Sequence, residues 1–196
     1  MKSSREQQKG APKTGNEERP RRPAQIAHVV IKSARYTDSV DWYSRLFQAE
    51  IAWSNPRITF LAYDEEHHRI AIINGEGSAA PKVGEVAGFD HVAFAYEELA
   101  DLLSVYARLK NEGIVPVRSI NHGMTTSLYY LDPDGNRVEL QVDNFEKAEA
   151  AAYMDTDEFS ANPIGTEFDP DDLVRRFDDG EPVAELLSPR QRGAVS

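Results

Sequence analysis

Cysteine is absent from this chain of 196 residues. Neither a disulfide framework nor a thiolate metal site can be built, so a bound metal has to be held by His, Asp, Glu or Tyr. Basic charge is scarce as well: 22 Lys and Arg stand against 33 Asp and Glu, for a formal net charge of −11. Nucleic acid is thereby disfavoured as the main partner, because phosphate binding needs a basic face. No long apolar run exists that could span a membrane. The opening stretch MKSSREQQKGAPKTGNEERPRRP is charged throughout and lacks the apolar centre of a secretory signal, so the expectation is cytoplasmic residence.

What the chain does contain is a repeat. IAHVVIKSARYTDSVDWYSRLF begins one copy at Ile26, and FDHVAFAYEELADLLSVYARLK begins the other at Phe89. The offsets from His28 to Tyr43 and Arg45 equal those from His91 to Tyr106 and Arg108, so WYSRL and VYARL fall in register without a gap. Each copy opens with a short apolar strand, 28–31 or 91–94. A helix follows, its apolar residues spaced near the helical period, as at Leu99, Leu102, Leu103, Tyr106 and Leu109. Gly113 ends the second helix. Strand-like runs then occupy 50–54, 59–63 and 68–73 in the first copy, and 115–120, 126–131 and 137–142 in the second. The expected fold class is α+β, built from two tandem βαβββ modules. The expected organisation is a disordered tail over 1–24, one domain over 25–145 and an acidic C-terminal extension with short helices over 146–196.

All five histidines, His28, His67, His68, His91 and His122, lie in or beside these predicted strands. His28 and His91 occupy the same place in their copies, and pseudo-twofold packing of the first strands would put both imidazoles on one face. Glu139 stands between Val138 and Leu140, on the strand after the turn cluster Asp132-Pro133-Asp134-Gly135. Glutamate is depleted in strands and costly to bury. Two imidazoles and a carboxylate form the facial triad of non-haem Fe(II) sites, which leaves the opposite positions open. A histidine at a strand start is commonly a hydrogen-bonded structural residue, and a matched pair can be inherited packing. Glu139 weighs against that reading, because without a metal its charge needs a separate partner.

With these residues in place, the chain resembles the vicinal oxygen chelate superfamily and, within it, the one-domain type I extradiol ring-cleavage dioxygenases, over about Ile26 to Phe145. The resemblance implies one cup-shaped, incomplete β-barrel with a metal site inside, holding Fe(II), or Mn(II) on the same ligands, through His28, His91 and Glu139. It maps the family's acid-base histidine onto His68 in EEHHRIAI, its active-site tyrosine onto Tyr129, and a further active-site histidine onto His122, although the stretch from His122 to Tyr129 is shorter than in the family. The implied function is cleavage of the ring of a catechol, such as 2,3-dihydroxybiphenyl or a substituted catechol, with O2 and no external reductant. Ala71 falls at the first-copy place of Glu139, so the fourth ligand of glyoxalase I relatives is missing, which favours an oxygenase. Another metal-dependent isomerase, epimerase or thiol transferase would keep the three ligands without needing His68 or Tyr129. A non-catalytic binding protein would need none of them.

His67 is expected to point away from His68, because neighbouring strand residues face opposite sides. Tyr130 is set aside for the same reason, and Trp42, Tyr43 and Tyr106 are expected in the core. In the extension, helices are expected over 146–153 and 170–177, the second with Asp169 as N-cap and Pro170 in its first turn. Phe159, Ile164, Phe168, Leu173 and Phe177 are its candidate anchors, packing on the domain, over its pocket, or on another subunit. Expected partners are the catechol, O2 and further copies of the chain in a homo-oligomer.

Overall fold

The computed structural model describes residues 23–78 and 87–188. All but the last two residues of the expected tail, and most of the Gly-, Ala- and Pro-rich linker between the copies, lie outside them. The first module contains β1 (Val29–Ser33), α1 (Tyr36–Phe47), β2 (Glu50–Asn55), β3 (Ile58–Ala62) and β4 (Ile70–Asn74). The second contains β5 (His91–Tyr96), α2 (Leu99–Asn111), β6 (Arg118–Asn121), β7 (Thr125–Leu131) and β8 (Arg137–Asp143). The extension adds α3 (Lys147–Met154), α4 (Asp157–Ala161), β9 (Thr166–Glu167), α5 (Pro170–Asp178) and α6 (Val183–Leu187). Among the described residues the fold is α+β, with two open sheets and no closed barrel: β1-β4-β3-β2 and β5-β8-β7-β6-β9. In each module the first strand runs parallel to the last, and it forms an outer edge of its own sheet.

Periodicity explains which side each element buries. Along β1, Val29 and Ile31 are half-buried while Val30 and Lys32 are exposed, the alternation of a one-sided strand. Helix α1 buries Ser39, Trp42, Tyr43 and Leu46, and α2 buries Leu99, Leu102, Leu103, Tyr106 and Leu109, each set forming one helical stripe. Gly113 takes the left-handed conformation that ends α2, with φ 79°, and Ile114 N–H returns to the Leu109 carbonyl at 2.9 Å. The stripes of both helices meet in one core that also takes in Leu173, Leu186 and Leu187 from the extension.

Polar contacts tie the modules together on this helical side. The Tyr43 hydroxyl donates to Asp132 at 3.0 Å, and Ala34 N–H donates to Asp134 at 3.2 Å. Arg108 donates to the carbonyls of Arg45 at 2.8 Å and Leu46 at 3.2 Å, while Arg45 pairs with Glu112 at 2.9 Å. Phe47 packs on Phe94 with ring centroids 4.4 Å apart. Burial pushes both Tyr43 and Asp132 above their ordinary values.

Several boundaries differ from the sequence expectation. Strand β4 begins at Ile70, so His67 and His68 lie in the loop before it. The cause is local: Asp64 accepts from Glu66 N–H at 3.1 Å and from Arg69 Nε at 2.8 Å, folding the acidic stretch into a loop. Strand β6 begins at Arg118, after Pro116, which has no N–H to offer a ladder. The extension holds both expected helices, and also α4, α6 and β9, which were not expected. Asp169 caps α5 by accepting from Asp171 N–H at 2.9 Å. Of the five candidate anchors, Leu173 is buried, Phe168 and Phe177 pack at the core, Phe159 lies against Tyr153, and Ile164 is exposed. The extension lies along β6 and α2, and its Tyr153 ring meets the β6–β7 turn at Gly123.

Candidate metal centre

Strand pairing places Glu139 opposite Ala93 on one side and Tyr129 on the other. Residues directly opposite share a face, and His91, two residues before Ala93, shares it as well. His91 Nε2 lies 2.8 Å from Glu139 Oε2, and the Glu139 side chain is only 5% exposed. The other ring nitrogen, Nδ1, lies 2.6 Å from Asp90 Oδ2, and Asp90 is paired in turn with Arg137 at 3.0 Å. The His91 hydrogen bond, followed by the Arg137 charge, holds the Asp90 carboxyl below the usual range. A carboxylate on Nδ1 is the arrangement that orients metal-binding histidines, turning Nε2 towards the ion. The buried Glu139 carboxylate thus has an imidazole beside it.

Tyr129 completes this cluster. Its ring stands edge-on to His91, with centroids 5.4 Å apart, and its hydroxyl lies 2.9 Å from His122 Nε2. Burial pushes the Tyr129 hydroxyl up, and the Glu139 charge beside it pushes further, so the phenol keeps its proton. The shorter stretch between His122 and Tyr129 therefore still leaves the two in hydrogen-bonding contact. Tyr130 on the opposite face is buried in the core, as are Trp42, Tyr43 and Tyr106.

The first module carries a second cluster. The exposed His28 ring lies tilted against His68 with centroids 4.6 Å apart, His68 stacks on Phe60 at 4.6 Å, and Phe60 lies 5.8 Å from Trp53. Burial, together with His67 and His28 nearby, pushes His68 below its ordinary value. The expectation that His67 turns away from His68 is corrected here. Their Nδ1 atoms lie 2.6 Å apart, because strand alternation does not operate in the loop that carries them.

Register also confirms the equivalence of Ala71 and Glu139. The first sheet runs Val30, Ala71, Phe60, Trp53 across one face where the second runs Ala93, Glu139, Tyr129, Arg118. One module presents an apolar row and the other a polar one. His91 and Glu139 are brought together, and His28 is not brought to them. Among the described residues, no three His, Asp or Glu side chains are grouped to hold one ion. The His91 and Glu139 donors suit a divalent metal with mixed nitrogen and oxygen preference, but the third ligand of the facial triad is missing from their side. Sequence reasoning missed Asp90 and Phe60. The acidic residue directly before His91 was a usable signal for the first, whereas Phe60 emerges only from strand register.

Comparison with known proteins places this geometry in a family. The model of the Glyoxalase/Bleomycin resistance protein/Dioxygenase superfamily matches residues 25–140, and the chain belongs to that superfamily. It is 42% identical over 164 residues to biphenyl-2,3-diol 1,2-dioxygenase 2 of Rhodococcus globerulus, covering 83% of this chain and 86% of the relative. To biphenyl-2,3-diol 1,2-dioxygenase 3 of the same organism it is 39% identical over 165 residues, covering 83% and 87%. Among solved structures, a glyoxylase/bleomycin resistance protein/dioxygenase domain from Frankia sp. EAN1pec matches with TM-score 0.52 at 18% identity, over 62% of this chain and 99% of that one. A lactoylglutathione lyase from Agrobacterium tumefaciens matches with TM-score 0.50 at 21% identity, over 62% and 96%. These structural matches speak for the fold alone.

Among the described residues no helix is long and apolar enough to cross a membrane.

Proposed function

We propose that this protein is an Fe(II)-dependent extradiol dioxygenase that cleaves the ring of a catechol of the 2,3-dihydroxybiphenyl type, working in the cytoplasm as a homo-oligomer. The observation that carries the reading is the buried Glu139 carboxylate, 2.8 Å from His91 Nε2 and flanked by a proton-bearing Tyr129. The two biphenyl-2,3-diol dioxygenases, at 42% and 39% identity, supply the reaction and substrate class. His91, Glu139 and His28 are the proposed ligands. Fe(II), when bound, supplies the electronic link between an ionised catechol and O2. Both oxygen atoms end in the product, so no reductant is consumed.

The chain's own residues have separate tasks. Glu139 contributes one negative charge and the neutral imidazoles none, so a net positive site attracts an anionic diol. Tyr129, held as a phenol, donates to a substrate oxygen and receives support from His122. His68 is the proton-transfer residue, with burial holding its pKa down, so that the neutral, proton-accepting form is favoured near neutral pH. The aromatic row of Trp53 and Phe60 offers an apolar wall for the substituent on the ring.

Anaerobic loading with Fe(II), followed by metal analysis, tests the ligand set. His28→Ala, His91→Ala and Glu139→Ala should each lose the metal while keeping a folded far-UV spectrum, and full iron retention by any one removes that residue from the set. His68→Phe should keep the metal and lose roughly 10² to 10⁴ in turnover; near-normal turnover rejects its role.

A further inference from the structure

We propose that the C-terminal extension positions the site: three of its segments grip the turn at 121–123 and hold His122 against the Tyr129 hydroxyl, which makes Asn121 and Tyr153 positioning residues for ring cleavage. The inference rests on the roles given above to His122 and Tyr129, and it adds what keeps the two in reach of each other.

His122 lies just beyond the end of β6, with Nε2 2.9 Å from the Tyr129 hydroxyl. The phenol proton of Tyr129 is directed to Glu139, so His122 Nε2–H is the donor in this contact. A hydroxyl that accepts one hydrogen bond donates the next more strongly, so the imidazole prepares Tyr129 to hold a substrate oxygen. That service depends on where the turn sits. Its own closure is one bond, from His122 N–H to the Thr125 carbonyl at 2.8 Å. Strand β6 has only four residues, and without β9 from the extension it would be the edge of its sheet.

The extension meets the turn at three places. The Tyr153 ring of α3, itself packed on Phe145 and Phe159 with centroids 5.4 and 5.7 Å away, touches Gly123 so closely that a Cβ there would lie 2.4 Å from the ring. Before β9, Gly165 lies against the turn's backbone: a Cβ on it would stand 2.1 Å from the Asn121 carbonyl oxygen and 2.6 Å from His122 Cα. Both glycines are left-handed, with φ 85° and 90°, so each position combines a conformation and a close approach that glycine alone permits. At the end of α6, the Leu187 carbonyl accepts from Asn121 Nδ2 at 2.9 Å. The amide oxygen of Asn121 meanwhile accepts from Gly123 N–H at 2.8 Å and from Asn144 Nδ2 at 3.0 Å. One side chain therefore shapes the turn with its oxygen and fastens it to the extension with its nitrogen. Close-packed contacts on a backbone transmit displacement, since no rotamer there can absorb it. Misplacing a catalytic group by about 1 Å can cost about 10²-fold in rate.

Ring-cleavage kinetics and NMR of isotope-labelled histidine, both on the full-length protein, test this together. Tyr153→Ala should keep the full iron load, lose roughly 10- to 10²-fold in kcat, and shift the His122 Nε2–H signal in the protein before iron is added. Tyr153→Phe, which keeps a ring on Gly123, should restore both. In a His122→Ala background Tyr153→Ala should remove nothing further from kcat, because it acts through that histidine. A Tyr153→Ala protein with wild-type kcat and an unmoved His122 signal overturns the inference, and so does a loss of kcat that adds in full to that of His122→Ala. Should Tyr153→Ala fail to fold, Asn121→Asp decides: it keeps the oxygen that accepts from Gly123 and removes the donor to Leu187, and an unmoved His122 signal there overturns the inference. A wild type that loads iron and cleaves no catechol overturns the reading of the site and the role in ring cleavage with it, whereas an active wild type whose His122 signal ignores these variants overturns the positioning alone.

Discussion

At the scale of single residues, the candidate site depends on how two carboxylates address one imidazole. Glu139 was legible because an ionisable residue between Val138 and Leu140 on a buried strand calls for a partner, and His91 was legible from its place in the repeat. Asp90 was passed over, since an exposed Asp beside a strand is ordinary until its 2.6 Å contact with His91 Nδ1 is seen. Asp90→Asn should weaken metal binding by about 10- to 100-fold while leaving the ligands present, the usual cost of removing a residue that orients a ligating histidine. A competition titration against a chelator measures it, and an unchanged affinity would mean that His91 is oriented by something else. The pairing of His67 with His68 was not legible, because it depends on where a strand begins, and the Asp64 to Arg69 contact that sets this spans a loop.

At the scale of elements, the Asp132 to Gly135 turn joins the modules as well as reversing the chain. Asp132 accepts from Asp134 N–H, Asn136 N–H, Asn136 Nδ2 and the Tyr43 hydroxyl. Tyr43→Phe should cost about 1 to 3 kcal/mol, because a buried carboxylate loses a donor. Burial raises the pKa of Asp132 in the folded state above its ordinary 3.8. The folded state therefore binds this proton more tightly than the unfolded state, and the contribution is favourable at low pH and lost as pH rises through the folded value. Asp132→Asn should remove that component: the stability difference between variant and wild type should move in the variant's favour as pH rises from below 3.8. Denaturant melts over that range test it, and a difference that moves the other way contradicts the assignment. The extension is a second case. Helix α5 was legible from Asp169 and Pro170, but β9 has only two residues and no periodic signal, and it exists because the β6 edge is open to it. Leu173→Ala should cost about 2 to 5 kcal/mol as a buried leucine truncation, measurable by thermal or denaturant unfolding. Loss of under 0.5 kcal/mol, the order expected of a surface substitution, would mean that the extension is not part of the core.

At the scale of the whole molecule, the repeat made the two βαβββ modules legible, and most strand positions with them. It did not show how the modules face each other. Pseudo-symmetry is satisfied equally by two first strands lying side by side and by two sheets whose first strands remain free edges, and the structure has the second arrangement. The choice is made by contacts between residues far apart in the chain, Tyr43 with Asp132 and Phe47 with Phe94, which no local pattern reveals. The site follows from it: a polar face on one module, an apolar face with two histidines on the other. The most direct test of ring cleavage is oxygen uptake by the Fe(II)-loaded protein given 2,3-dihydroxybiphenyl or a 3-substituted catechol, with the product followed by its visible absorbance. Uptake of one O2 per catechol, together with a yellow semialdehyde product and its loss on iron removal, is the predicted result. A fully iron-loaded protein that binds the catechol, consumes no O2 and leaves the ring intact would contradict it.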